Sequence, residues 1–353
     1  MGYKHMDQHL TFAEIDLLNS LEHSRAITRL NHINMVIDWS RIDRLLLKHY
    51  CVGKSSEGAD AYLPLLLLKC LLLQQWFHID SDPELETQIN DRISFRKFLG
   101  LSFDQRSPDH STFCRFRGRL SKAAMQEINH EVLAQFASQG VTINEGVAID
   151  ARLVQSASRP ISTEKLAEER EKRKTPEGSL DKNGNILKFS RDLDSDWTVR
   201  NDEPHFGLKE HSSVDTRNGF ILATELTPAS VHDSTYLPYC VAASCHTKEP
   251  IKKAYADKGY HGHPNREFLS MNGIEDGIMR KATKGTELTT YEKERNKVIS
   301  KVRYIVEQCF GLTHLHNNAF RARFTRIFKN LIDALFRQMA FNLFRATRIL
   351  KPA

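Results

Sequence analysis

The spacing of apolar residues changes at Gly140, and that change limits what this chain can build. Before it, apolar residues recur every three or four positions through "WSRIDRLLLKHY" (39–50), "YLPLLLLKCLLLQQWF" (62–77) and "AAMQEINHEVLAQFASQG" (123–140). That is the period of helices packed on a shared core. After it, "GVAIDARLV" (146–154) alternates as a strand does, and strand character returns in "HFGLKEHSSVD" (205–215), "FILATELTPAS" (220–230) and "IKKAYAD" (251–257). Asn218-Gly219 between two of these runs predicts a hairpin. Helical spacing resumes in "NREFLSMNG" (265–273), "ERNKVISKVRYIVEQCFGLTHL" (294–315) and "KNLIDALFRQMAFNLFRATRIL" (329–350). The pattern predicts an all-helical domain over 1–140, then a mixed-sheet α/β or α+β domain over 141–353. The charged, aromatic-free stretch "STEKLAEEREKRKTPEGSLDKNGN" (162–185) marks an insertion at about 156–200.

Charge is distributed unevenly. From Lys297 to Lys351 there are eleven Lys or Arg against Glu307 and Asp333, a local excess of +9 in a chain whose whole net charge is +6. Such a field suits a polyanion, and it equally suits a solvated helical face. Within it, Arg321, Arg323 and Arg326 are candidate phosphate contacts. The opening "MGYKHMDQHLTF" lacks the pattern of a secretory leader. The apolar run at 62–77 is too short to cross a bilayer and carries Lys69, so a buried helix started by Pro64 is expected. Six scattered cysteines fit reduced thiols and a cytoplasmic location, and "CVAASCH" (240–246) lacks the spacing of a zinc site.

In "SPDHSTFCRFRGRL" (107–120), Asp109 or Ser111 can cap a helix with Phe113, Phe116 and Leu120 on one face. Arg115, Arg119 and Lys122 fall on the other. The segment follows another helical stretch, so it fits both a helix-turn-helix-like DNA contact and a plain bundle with a basic side.

Three acids stand out. Asp150 and Asp257 lie within or at the end of apolar strands, where a carboxylate requires a partner, a metal or an open crevice. Two such acids on neighbouring strands can share a hard cation. Glu307 lies in a helix with Arg303 four residues before it and His314 seven after, an arrangement that a helix ion pair with Arg303 would also explain. Near them, His205, Lys209 and His211 fall on one face of a strand, as a phosphate-facing row or a solvated edge. His232 and Asp233 stand in "ASVHDS", where Asp233 could cap a turn or support the acids.

The set "VAIDARLV", "HFGLKEHSSVD", "TPASVHDSTYLP", "YADKGYHG" and "VRYIVEQCFG" resembles DDE-type transposases of bacterial insertion sequences, most of all the insertion-sequence-five group. "SPDHSTFCRFRGRL" resembles that group's amino-terminal DNA-binding segment, so the likeness runs from about residue 60 to 345. It implies a ribonuclease H-like mixed-sheet catalytic domain preceded by an all-α DNA-binding domain. It implies Asp150, Asp257 and Glu307 as catalytic, metal-holding acids, with Mg²⁺ as cofactor and Mn²⁺ as substitute. The implied partners are double-stranded DNA, as terminal inverted repeats and target, and further copies of the chain in a homodimer or larger synaptic assembly in the bacterial cytosol, at the nucleoid. The family's helix pattern, which contacts the terminal phosphates, is met at Arg303, so the resemblance implies Arg303 and His314 as DNA contacts, although Ser300 and His314 stand where a tyrosine and a lysine are usual. His232 and Asp233 also match a family motif. The rival readings are a silent DNA-binding regulator descended from a transposase, and a nuclease on the same fold.

Overall fold

The computed structural model describes residues 2–4, 12–21, 23–54, 60–143, 145–174, 180, 192–245, 250–283, 285, 287–317 and 319–350. They fall into two units, Met1–Thr142 with Ile332–Ala353, and Ile143–Leu331. The break after Thr142 follows the change in periodicity. The closing helical residues, read above with the catalytic domain, instead cluster with the helical unit. Their apolar face explains this: Trp76 donates its indole N–H to the carbonyl of Ala340 at 3.0 Å and stacks on Phe344, with ring centroids 5.2 Å apart.

The helical unit contains α1 (Phe12–Ser20), α2 (Arg25–Val36), α3 (Trp39–His49), α4 (Pro64–Trp76), α5 (Asp82–Asp91), α6 (Ile93–Leu99), α7 (His110–Arg119) and α8 (Lys122–Ser138). Helix α4 is the apolar run, with Pro64 in its first turn and Leu66–Leu68 and Cys70–Leu73 buried. Its one charge, Lys69, lies with its ammonium 4.7 Å from the Trp39 ring centre. Burial lowers its pKa to about 8, opposed by Asp43. In α7 the Asp109 carboxylate accepts the Thr112 N–H at 2.6 Å, so Asp109 is the cap. Phe113, Phe116 and Leu120 are buried, while Arg115 and Arg119 are exposed, the division that the spacing requires.

The second unit is built on six strands: β1 (Gly146–Gln155), β2 (Asp196–Arg200), β3 (Glu203–Asp215), β4 (Ile221–Pro228), β5 (Lys253–Ala256) and β6 (Glu275–Ile278). Their order is β2-β3-β1-β5-β6, with β4 also paired to β3. The β3 strand runs antiparallel to β1, β2 and β4, whereas β1, β5 and β6 run parallel. This mixed sheet is the ribonuclease H-like arrangement. The β3–β4 turn holds Gly219 at φ +69°, in the left-handed region that glycine enters without strain, and Asn218 donates its N–H to Asp215 at 2.6 Å.

Helices α9 (Thr163–Lys172), α10 (Leu237–Ala243), α11 (His263–Met271) and α12 (Thr290–Asn317) complete the unit. The last helix, α13 (Ile327–Ile349), passes the division between the units. Helix α12 packs on β1, β3 and β5, and α10 packs on β1, β3 and β4. The expected insertion at about 156–200 contains α9 and β2, so part of it belongs to the sheet; 175–179 and 181–191 lie outside the described residues.

Candidate active site

Asp150 lies at the middle of β1, after the buried run Val147–Ile149. The parallel ladder pairs Ala148 with Tyr255, and continuing it two residues sets Asp150 beside Asp257 at the end of β5. Asp150 is not bare. A guanidinium nitrogen of Arg303, on α12, lies 2.9 Å from one carboxylate oxygen, and the Ala151 N–H donates to the other at 2.9 Å. Even so, the Asp150 pKa is pushed up to about 6. Burial is the main cause, with Arg303 and the Ala151 N–H opposing it and the charges of Asp257 and Glu307 adding to it. Asp257 and Glu307 are therefore each near enough to Asp150 to bear on its charge.

Asp257 caps the single 3₁₀ turn Lys258–Tyr260, accepting the Gly259 N–H at 2.7 Å. A Cβ on Gly259 would come within 2.9 Å of an Asp257 oxygen and 3.8 Å of an Asp233 oxygen. The glycine leaves space for two carboxylates; its φ is not in the left-handed region. Glu307 is exposed on α12 and has no ion pair or hydrogen bond among the described residues. The helix ion pair with Arg303, considered above for Glu307, does not form because Arg303 turns to Asp150.

The other candidates separate. Ala151 faces His211 and Leu153 faces Lys209 across the β1–β3 ladder, whereas Asp150 faces Ser212. Strand alternation therefore turns Lys209 and His211 to the face opposite Asp150. His211 is fully buried, stacked on Tyr236 with ring centroids 4.6 Å apart and bonded to the Thr227 hydroxyl at 2.9 Å. Burial lowers its pKa to about 4, so it is neutral at pH 7. His211 therefore has no surface on which to meet a phosphate and drops out of the phosphate-facing row expected from the sequence. Lys209 is held by Asp233 at 2.8 Å and by the Val231 carbonyl at 2.6 Å. Asp233 is thus an ion-pair partner. The turn after β4 is capped instead by His232, whose Nδ1 accepts the Ser234 N–H at 3.2 Å.

His205 is half-buried at the start of β3, and His314 is exposed on α12 beside Phe320, with ring centroids 4.7 Å apart. Arg321 is exposed and donates to the Ala157 carbonyl at 3.3 Å; Arg323 lies over the Phe324 ring, and Arg326 is exposed. On α7, Arg115 bonds the Ser111 hydroxyl at 2.8 Å, and Arg119 lies in hydrogen-bonding reach of the Tyr50 phenol. The sequence reading passed over Arg152. It donates to the Phe310 carbonyl, Thr313 and Glu210 at 3.1, 2.9 and 2.7 Å, tying β1 to α12 and β3. Its position two residues after Asp150, on the same face, was the available signal.

Among the described residues no three His, Cys, Asp or Glu side chains converge closely enough to form a ready metal cage. The donor set nonetheless fits a hard divalent cation. Two carboxylates lie at neighbouring strand positions, one of them raised in pKa by burial and by its neighbours' charges, and Mg²⁺-type sites take only one or two carboxylates from the protein.

Known proteins share this arrangement of segments. Residues 144–343 match the family model described as Transposase DDE domain. This chain belongs to the DDE transposases. Residues 16–119 also match a model described as Transposase domain (DUF772). The transposase for insertion sequence element IS1106 of Neisseria meningitidis serogroup B is 30% identical over 251 residues, covering 68% of this chain and 80% of that protein. Two solved structures share 10% identity with it. The piggyBac transposase synaptic complex with hairpin DNA gives a TM-score of 0.40, covering 99% of this chain and 77% of that one. The Mos1 mariner paired end complex with Mn gives 0.21, covering 95% and 90%. The chain is a transposase, a DNA-cleaving and strand-transferring enzyme of a family that uses divalent metal ions.

Proposed function

We propose that Asp150, Asp257 and Glu307 are the catalytic acids and hold Mg²⁺, with Mn²⁺ able to substitute. The observation that carries this reading is the position of the part-buried Asp150 carboxyl in the sheet, held by Arg303. The carboxyl sits beside Asp257, within the field of Glu307, and is answered by a single guanidinium. A cation placed there relieves the repulsion that burial leaves in force. When bound, such a metal stabilises charge on the phosphoryl oxygens and lowers the pKa of an attacking water.

The chain's own residues supply the rest. Arg303 fixes the orientation of Asp150 from α12, and the Gly259 N–H fixes Asp257. Glu307, exposed and unpartnered, is the acid free to close around an incoming ligand. Arg115 and Arg119 on α7, with Arg321, Arg323, Arg326, His205 and His314 on the catalytic unit, are the proposed DNA contacts. Lys209 acts on the site through Asp233. The DNA substrates are the terminal inverted repeats of the element and a target duplex. Since two ends must be joined, the working form is a homodimer or larger synaptic assembly, in the cytoplasm at the nucleoid.

Asp257→Asn tests this directly. It keeps the shape of the turn cap and removes the charge. Metal-dependent nicking of a duplex carrying the gene's flanking DNA should be abolished, with binding of that duplex held within about threefold. Cleavage at the wild-type rate, or loss of binding, contradicts the assignment.

A further inference from the structure

One end of the catalytic unit's sheet is β2, which pairs with β3 alone. This short strand lies in the insertion. The turn Asn201–Asp202 joins it to β3, with both residues in the left-handed region at φ +53° and +64°. A two-residue turn of that kind matches the twist of a hairpin and fixes its register. Here the register sets Asp196 opposite Gly207, Thr198 opposite His205 and Arg200 opposite Glu203.

The direction of the β3 backbone shows which groups of β2 are free. The Phe206 carbonyl turns to β1, where it accepts the Ser156 N–H at 3.1 Å, and the Gly207 carbonyl turns the other way to accept the Ala229 N–H at 3.2 Å. Backbone groups alternate along a strand, so Glu203, His205 and Gly207 face β2 and bond Arg200, Thr198 and Asp196. Trp197 and Val199 therefore turn their N–H and C=O groups outward. Among the described residues, no partner meets either group of Val199 or the Trp197 carbonyl. The Trp197 N–H is covered by its neighbour, donating to the Asp196 carboxylate at 2.8 Å. The Val199 side chain is 69% exposed. An edge with unpaired backbone groups and an exposed β-branched residue is a template for another strand.

The sequence of β2 specifies the strand that fits. Set antiparallel to itself, "DWTVR" places Asp196 against Arg200, Trp197 against Val199 and Thr198 against Thr198. Opposite charges, an aromatic with a β-branched residue, and Thr with Thr are all favoured cross-strand pairs. The backbone agrees, because Trp197 and Val199, which oppose each other in that register, are the residues with outward N–H and C=O groups. We propose that β2 pairs with β2 of a second copy of this chain about a two-fold axis at Thr198, continuing one sheet through two catalytic units. On pairing, Arg200 of the second copy takes the Asp196 oxygen that covers the Trp197 N–H, and that N–H passes to the Val199 carbonyl of the second copy. The other Asp196 oxygen keeps the Ser230 hydroxyl at 2.8 Å. Arg170, 3.5 Å from Asp196, is held independently by the carbonyls of Leu193 and Ser195, each at 2.9 Å. This inference rests on the assembly proposed above and gives it a surface, built by the insertion.

The test is a cysteine on the axis. In Thr198→Cys the two thiols meet at a non-hydrogen-bonded pair, with Cα atoms about 4.5 Å apart, inside the disulfide range. Full-length protein is oxidised with diamide and run on a non-reducing gel. Wild type sets the background, because Cys51, Cys114 and Cys245 are exposed. Thr198→Cys is expected to give about tenfold more linked dimer than wild type or Arg200→Cys. In Arg200→Cys, position 200 opposes 196, so the two thiols lie 200 − 196 = 4 positions apart, roughly 13 Å along a strand and beyond disulfide reach. Adding Val199→Pro to Thr198→Cys removes an outward N–H and spares the ladder to β3, and it should return the yield to background; thermal melts check its fold. A background yield from Thr198→Cys, equal yields from Thr198→Cys and Arg200→Cys, or a yield that survives Val199→Pro overturns the pairing. Sedimentation of the wild type with a duplex carrying the gene's flanking DNA separates this from the reading beneath it. A dimer with no link at 198 overturns this edge alone, whereas a monomer contradicts the assembly itself.

Discussion

The two faces of the β1–β3–β5 sheet carry charge under opposite conditions. On the face turned to α12, Asp150 and Asp257 stand side by side, Glu307 is unpartnered, and the Asp150 carboxyl is raised to about 6. On the other face His211 bonds Thr227 at 2.9 Å and stacks on Tyr236 at 4.6 Å, while Lys209 holds Asp233 at 2.8 Å, and Asp233 reaches the edge of the site near Asp257, across Gly259. The covered face pairs most of its polar atoms, the buried His211 Nδ1 being an exception, and holds the fold; the open face keeps an unpartnered Glu307 near the raised Asp150, the condition expected of a site that takes a cation.

This contrast can be broken most severely on the covered face. His211→Ala removes a fully buried ring, its stacking on Tyr236 and its bond to Thr227. It should lower unfolding free energy by about 2–4 kcal/mol in urea titrations. Unchanged stability would mean that the two faces do not differ as described.

The open face should respond to pH in the opposite sense to an ordinary paired carboxylate. The folded-state pKa of Asp150 lies above the ordinary aspartate value of 3.8, so the folded protein holds that proton more tightly than the unfolded chain does. Stability from this group is therefore fully present below about pH 4 and is lost as pH rises through about 6. In metal-free protein the loss should be on the order of 2 kcal/mol, given partial solvent access. Thermal melts of wild type and Asp150→Asn between pH 4.5 and 7.5 should converge at low pH and diverge at high pH. Parallel curves would show that Asp150 titrates normally.

The smallest effect expected is on the basic surface. Replacing Arg321, Arg323 and Arg326 together by Gln should weaken DNA binding and flatten the slope of log affinity against log salt. The change should be at most about 2.7, the figure for three phosphate contacts. An unchanged slope would remove these residues from the interface.

What could be read in the sequence was what depends on near neighbours or on one ladder. The buried and exposed sides of α7, Pro64 at the start of α4 and the Asn218-Gly219 hairpin follow from local spacing. So does Asp257 at a strand end, because β5 stops where its apolar residues stop. What could not be read was long-range choice of partner. Helical spacing offers Arg303 to Glu307, but β1 brings Asp150 to it from 153 positions away in the chain. Strand alternation correctly set Lys209 and His211 on one face, yet it could not say which face would be covered by α10 and the turn at Asp233. The short strand β2 was hidden in a charged stretch, and the grouping of 332–353 with the helical unit depends on contacts such as Trp76 with Phe344.

The most direct test of the open face is made with Glu307→Gln, because Glu307 has no structural partner among the described residues whose loss could confuse the result. Wild type and variant are incubated with a labelled duplex carrying the gene's flanking DNA, with Mg²⁺ or Mn²⁺. The expected result is metal-dependent nicking at the element's boundary by the wild type, absent in the variant, with equal binding by both. Nicking by Glu307→Gln at the wild-type rate would contradict the claim that these three acids form the site.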